Sequence, residues 1–509
     1  MTRTIVIIGA GLAGLSAAVT ASEQGCSVKL VSSMPSERSQ SVMAEGGINA
    51  ALDTVGENDS PDEHFRDTIK AACGLADPNA VWALTNSAPD IVKWLYDSGV
   101  QFNTDGHDTP ALRNFGGQKK KRTAYAKSDT GKHIMTALTD MVRKYEVNGN
   151  IERYPHHDFV TLITDGNVCG GCIIRDNYYG QTIPLKADSV IIASGGMHGI
   201  FGKTTGAITN TGLVTAELFR LGVKMADLEF IQYHPTTVKA NGKLMLISEA
   251  ARGEGGRLYS LREGRKHYFM EEKYPELGNL MPRDITSREI WNESLNGDVF
   301  LDMTGLSGRS IQDKLSGIAE SCKTYLNIDI RRTSVIVQPG IHYFMGGIYV
   351  DEHHRTSMKG LYAAGECCCQ YHGANRLGGN SLLGAVYGGK TAAQTAISDD
   401  TSILPDQYDI PHNTEIPTAM QDIMQKTMGV VRNEYLLKTG LSQLEELDDS
   451  SVTALAKAII LSAEHRKESR GAHYRDDYPK TDKAFEKITT AQYSDGDISI
   501  SMEDVPGRR

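Results

Sequence analysis

Cysteine is sparse in this 509-residue chain. Eight cysteines are too few to staple such a length, and no positively charged start leads into an apolar signal core. A reducing, cytoplasmic setting is therefore expected. No stretch approaches the roughly 18 consecutive apolar residues that cross a bilayer, so any membrane association would come through a partner, with no direct insertion. Positive charge is in deficit: 53 Lys and Arg stand against 63 Asp and Glu, a net −10, the wrong sign for gripping nucleic acid through the overall field. No internal repeat, long low-complexity run, metal-ligand set or haem-attachment motif is visible.

What is present is an ordinary globular composition, 40% hydrophobic and 23% charged, at a length that calls for two to four packed units. Glycine is abundant, at 51 residues. That many implies tight turns and close approach of backbone to a ligand.

The first thirty residues are the most informative. The β-branched run 4–8 (TIVII) leads into Gly9-Ala10-Gly11-Leu12-Ala13-Gly14, a small-residue helix follows towards Gly25, and residues 27–31 read as the next parallel strand. A G-x-G-x-x-G with a strand before it and a helix after it is the dinucleotide-binding arrangement. Its first two glycines turn the backbone towards a pyrophosphate, the third lets helix and strand pack, and the helix amino end stabilises negative charge. The acidic residue that clamps a ribose in NAD proteins is replaced by Ser32 and Ser33.

Residues 189–196 (SVIIASGG) and 360–366 (GLYAAGE) read as further strands of the same sheet, so the nucleotide domain is split. The expected division is a nucleotide-binding part at 1–235, an inserted capping and substrate domain of mixed helix and loop at 236–341, a return segment at 342–400, and a C-terminal region at 401–509. Within the last, residues 405–417 read as a linker, 418–467 as helical, and the acidic tail after Tyr493 as extended or disordered unless a partner holds it. The fold class is α/β: a Rossmann-like domain interrupted by an α+β cap and followed by helices.

Seven segments, in order along the whole chain, carry a resemblance: RSQSVMAEGG at 38–47, QYHPT at 232–236, SEAARGEGG at 248–256, PRD at 282–284, HYFMGG at 342–347, GE at 365–366 and GANRLGGNSL at 373–382. With these the chain resembles flavoproteins of the succinate dehydrogenase/fumarate reductase family, which includes L-aspartate oxidase. The resemblance implies FAD rather than NAD. Its contacts would come from Gly9, Ala10, Gly11 and Gly14 at the pyrophosphate, Ser32 and Glu366 near ribose, and Ser39, Gln40, Ser41, Ala44, Gly46, Gly47, Ser381 and Leu382 along the isoalloxazine, with Phe159, Val160 and Gly195 completing the set. Gln40 stands where complex-forming relatives carry a flavin-linking histidine. Its amide cannot form that bond, so FAD is expected to be non-covalent, with a lower potential that favours fumarate reduction. Gly212-Leu213 departs as well, where relatives place an acidic residue at the cofactor.

By the same resemblance, His234, His342 and Arg376 would hold a C4 dicarboxylate together with Ser248, Phe115 would press on it, and Arg283 would be the proton donor, recharged through Glu249 and Arg252. Arginine is a poor acid at neutral pH by ordinary matching. The implied account is that it yields its proton only as a strongly basic carbanion forms.

Outside the resemblance, Cys169-Gly170-Gly171-Cys172 lies in a strand and, like Cys367-Cys368-Cys369, reads as packing rather than redox or metal chemistry. The run 118–122 (QKKKR) reads as a solvated loop, with docking of an acidic partner or attraction of a dianionic substrate as its alternative. With no iron–sulfur ligands and no second nucleotide motif, electrons would come from a diffusible carrier or a partner such as an iron–sulfur subunit, which would place the chain peripheral to the inner face of a membrane. The leading function is a fumarate reductase or succinate dehydrogenase flavoprotein of electron transport and anaerobic respiration. L-aspartate oxidase is the alternative, and a non-catalytic flavin electron-transfer or scaffold subunit is the alternative from another class.

Overall fold

In the computed structural model, residues 2–104, 106, 109–207, 209–400 and 415–508 are described. Five parallel strands form the central sheet, in spatial order Leu361–Ala363, Ser189–Ile192, Thr4–Ile8, Ser27–Ser32 and Ile151–Pro155. The first strand is buried on both faces, as a parallel strand covered on two sides must be. Ile5 and Ile7 pack with Leu15 and Val19 of the helix Leu12–Glu23, while Val6 and Ile8 pack on the opposite side with Leu162 and Ile174. The second helix on the first face is Asn380–Ser398. It crosses the first so closely that a Cβ on Gly389 would lie 2.2 Å from the Ala13 carbonyl oxygen. Strands Ser189–Ile192 and Leu361–Ala363, far apart in sequence, thus join one sheet, the split nucleotide domain expected from the sequence.

The insertion is more sheet than the mixed helix-and-loop reading allowed. Six antiparallel strands run in the order Lys243–Leu246, Ile231–Ala240, Val335–Phe344, Val299–Asp302, Arg257–Arg262 and Arg265–His267. The helices Arg283–Ser294 and Ser316–Leu326 belong to the same body. The two long strands, Ile231–Ala240 and Val335–Phe344, run across the expected borders at 235/236 and 341/342, so they carry residues from the cap straight into the nucleotide domain.

In the C-terminal region three helices, Thr418–Thr427, Glu434–Glu445 and Ser451–His465, occupy the span read as helical. Most of the linker reading, residues 405–414, lies outside the described residues. The tail corrects its expectation. Lys487–Ser494 and Asp497–Asp504 form a hairpin that extends a sheet containing Met225–Ala226 and Gly347–Tyr349. The Thr489 hydroxyl donates to Glu229 Oε1 at 2.7 Å, and the Asp227 carboxylate accepts from the Thr489 N–H at 3.1 Å. Asp495-Gly496 is the two-residue turn, both at positive φ (53° and 94°), which is the Asp-Gly hairpin signal that a composition-based reading passed over.

The basic run is corrected as well. Lys119 and Lys121 are exposed, but Arg122 is fully buried, forked onto Asp59 at 3.1 and 2.9 Å and paired with Asp67 at 2.9 Å. Two carboxylates contributed by distant segments compensate one charge, a partnership invisible in a linear run of lysines. Cys169 and Cys172 lie buried in the strand Val168–Asp176, and all eight cysteines are free.

Candidate active site

A cavity of about 790 Å³ runs from the glycine turn to the underside of the cap, well within the size of small-molecule sites. Gly9 sits at φ 112°, where a Cβ would fall 2.2 Å from the Ala193 carbonyl oxygen, and a Cβ on Gly14 would fall 1.8 Å from the Gly9 carbonyl oxygen. These two positions admit no side chain. The helix Leu12–Glu23 opens at Gly11 with no side-chain cap, and the Leu12 N–H is met by Ser41 Oγ at 3.1 Å. Backbone donors at a helix start, walled by Ser32, Ser39, Ser41 and Gly195, suit a pyrophosphate. Ser39 Oγ and Glu45 Oε2 are buried without a partner, free for a polar cofactor. The donor set therefore fits FAD.

Ala10, Gln40, Ala44, Gly46, Gly47, Phe159, Glu366, Ser381 and Leu382 also line this cavity. Gln40 Oε1 accepts the Ala207 N–H at 2.6 Å. The Glu366 carboxylate accepts from the Phe344 N–H at 3.2 Å and lies 3.4 Å from His198 Nε2. Gly212, at positive φ, caps the helix Leu213–Arg220 and faces the cavity too. Gly14 lies behind the wall, in its packing role. Val160 is not brought in: its side chain is buried with Ile163 and Ile173 instead.

At the cap end, His234, His342, Arg283, Arg376, Ser248, Glu249 and Phe115 converge on the same space. The two imidazoles meet edge to face, 5.2 Å between centroids. His234 Nδ1 accepts the Thr236 N–H at 3.2 Å, which leaves Nε2 as the protonated, donating nitrogen. His342 Nδ1 shares a hydrogen with Thr205 Oγ1 at 2.9 Å. Burial first, and Arg283 second, push both rings well below the ordinary histidine value, so each is a neutral imidazole. Arg376 places its Cζ over the Tyr343 ring, 4.1 Å from the centroid, with its Nε buried and unpartnered. Burial and then Arg283 hold its guanidinium below the usual arginine value.

Arg283 begins the helix Arg283–Ser294 from the cap side. Its Nε and Nη2 donate to Glu249 Oε2 at 3.0 and 2.9 Å, and its Nη1 donates to Gln232 Oε1 at 3.0 Å. Behind it, Arg252 Nη2 stands 3.6 Å from Glu249 Oε1, which also accepts the Gly116 N–H at 3.0 Å. Burial alone would raise the Glu249 carboxyl, but Arg283 and Arg252 outweigh it and hold the group below the ordinary value. Arg252 does not reach the cavity; it backs Glu249. The expected residues thus form a buried chain Arg252, Glu249, Arg283 pointing at a pocket with two neutral imidazoles and a second guanidinium.

Sequence reasoning missed Gln232, Thr205 and Tyr343 as members of this site. A signal existed for the first: Gln232 and His234 are two apart on a strand, the spacing that puts side chains on one face.

Residues 4–382 match the FAD binding domain family and residues 450–508 the fumarate reductase flavoprotein C-terminal family. The succinate dehydrogenase flavoprotein subunit of Bacillus subtilis is 38% identical, covering 98% of this chain and 97% of that protein. L-aspartate oxidase 2 of Ralstonia nicotianae is 32% identical over 95% of this chain and 92% of its own length. A variant of E. coli quinol fumarate reductase FrdA superposes with a TM-score of 0.87 at 28% identity, over 99% of this chain and 97% of that one. With its glycine cradle, split sheet and converging histidines and arginines, the chain belongs to the succinate dehydrogenase/fumarate reductase family of FAD-dependent oxidoreductase flavoproteins.

Proposed function

We propose that the chain reduces fumarate to succinate, with Arg283 as the proton donor. The observation that carries this reading is the placement of Arg283: both hands of its guanidinium are held, by Glu249 and by Gln232, at the wall of a pocket whose other donors are neutral imidazoles and Arg376. FAD, when bound, supplies two-electron hydride chemistry.

The protein's own part is binding, twisting and protonation. A dianionic C4 dicarboxylate meets Arg376 as a planar fork at one carboxylate and single N–H donors from His234 and His342 at the other. Phe115, 4% exposed, closes the pocket and presses on the alkene. Donors fixed in a buried site stabilise the charge that moves onto a carboxylate as the carbon skeleton becomes carbanion-like. Arg283 then passes its proton to that carbon, and Glu249 and Arg252 return one to it.

Gln40 supports non-covalent FAD and the reductive direction. Among the described residues no cluster of metal ligands occurs, and the Bacillus relative is named a subunit; both support an electron-transferring partner, an iron–sulfur subunit by the family resemblance. No described helix is long and apolar enough to cross a membrane.

The test is anaerobic. Holoprotein reduced with dithionite is mixed with fumarate while the flavin band is followed, and oxidised holoprotein is mixed separately with L-aspartate. Reoxidation by fumarate with succinate formed is expected. A flavin that stays reduced with fumarate but is reduced by aspartate establishes the amino-acid oxidase in its place, and a flavin unresponsive to both leaves only an electron-transfer role.

A further inference from the structure

Gln232 is fully buried and its single amide oxygen accepts from both site arginines, Arg283 Nη1 at 3.0 Å and Arg376 Nη2 at 2.9 Å. Its Nε2 donates the other way, to Asn375 Oδ1 and to the Arg376 carbonyl, both at 2.9 Å. Asn375 Nδ2 in turn donates to Asp284 Oδ1 at 3.0 Å. From the arginines through Gln232 and Asn375 the donations run towards Asp284, which neighbours Arg283 in sequence yet borders a separate, water-sized cleft with Arg288 and Tyr474.

The direction of the chain follows from its end. A carboxylate only accepts, so Asp284 turns the Asn375 amino group towards itself, which leaves Asn375 Oδ1 for the Gln232 amino group. The Gln232 carbonyl is thereby turned to the two cations. In the flipped orientation an NH₂ group would face two guanidiniums and an oxygen would face two oxygens. We infer that Asp284, Asn375 and Gln232 form an orienting relay whose output is the relative position of Arg283 and Arg376. The proton donor comes from the cap and the carboxylate fork from the nucleotide domain; the relay ties one to the other through a shared acceptor. These are positioning residues, and the inference rests on the dicarboxylate reading above.

The test compares holoprotein carrying Gln232→Leu, Asp284→Ala or Asp284→Glu with the parent. Two quantities are measured: the dissociation constant of malonate, a dicarboxylate with no CH–CH bond to oxidise, from perturbation of the flavin band, and kcat and KM for fumarate. Losing an acceptor shared by two cations costs on the order of tenfold or more in each function. Gln232→Leu and Asp284→Ala are expected to weaken malonate and to lower kcat by that factor at unchanged FAD content, and Asp284→Glu to stay near parental values in both. Parental malonate binding and kcat in Gln232→Leu and Asp284→Ala overturn the relay while leaving the function intact. A parent that gives no response to any dicarboxylate overturns both readings together. Should Gln232→Leu lose FAD, Asp284→Ala, which leaves both arginines and their shared acceptor in place, decides the matter alone.

Discussion

Arg283 and Glu249 meet through a one-oxygen fork: Nε and Nη2 of the arginine both donate to Oε2 of the glutamate, while Oε1 is taken by the Gly116 N–H and faces Arg252. A bidentate pair would use both oxygens. Here the second oxygen is kept for the loop that carries Phe115 and for the arginine behind, so one carboxylate holds Arg283, the Phe115 loop and Arg252 together.

If Arg283 is the acid, Arg283→Ala should lower the rate of fumarate reduction by roughly 10²–10⁴-fold, the usual worth of a positioned proton donor. The bound-dicarboxylate perturbation of the flavin band should survive, because His234, His342 and Arg376 remain. Stopped-flow reoxidation checks both at once, and parental turnover in the variant would remove Arg283 from the role.

Glu249 carries a pH signature. Its folded-state pKa lies below the unfolded value of 4.5, chiefly because Arg283 and Arg252 outweigh burial. A depressed carboxylate adds stability that is complete above about 4.5 and is lost as pH falls through the lower folded value. Glu249→Gln should therefore be less stable than the parent at neutral pH, by about 3 kcal/mol for an uncompensated buried cation, and the gap should narrow below pH 4.5. Chemical denaturation across pH 3–7 measures it; a constant gap would contradict the assignment.

Glu45 behaves oppositely. Burial first, then Asp129, push its carboxyl up to about 7 against a partial pull from Arg113. The fold holds it protonated where the unfolded chain would ionise, so stability should decline as pH rises from 4.5 to about 7 and level off beyond. Glu45→Gln should flatten that slope. Melting temperatures of holoprotein and variant between pH 4.5 and 8 provide the comparison, and parallel curves would show the group is ionised throughout.

Gln40 spends its carbonyl on the Ala207 N–H and has no nucleophilic nitrogen to offer a flavin methyl group. Denaturing the holoprotein in acid should release all the FAD into the supernatant, with no yellow, fluorescent band following the polypeptide on a denaturing gel. Fluorescence on the polypeptide would show a covalent link made by another residue.

Much of this architecture was legible because the relevant physics is local. A β-branched run, glycines at three set positions and a small-residue helix can only make a strand, a tight turn and a helix start, and the strands 189–192 and 361–363 repeat that apolar, glycine-ended pattern. The hairpin after Tyr493 was missed although Asp495-Gly496 marks its turn, because its burial comes from Asp227 and Glu229 more than two hundred residues away. Arg122 looked like one more surface cation until Asp59 and Asp67 were seen to close on it.

The sequence by itself determined the nucleotide cradle, which depends on residue type and short-range spacing, and through its resemblance to a known family it implied FAD and the two histidines and two arginines of the pocket. Only the tertiary structure decided how they act together. Gln232 became the shared acceptor of Arg283 and Arg376 because strands from the cap and a loop before the helix Asn380–Ser398 meet there. A neutral amide between two buried cations is specified by distance and direction, and neither exists until the chain has folded.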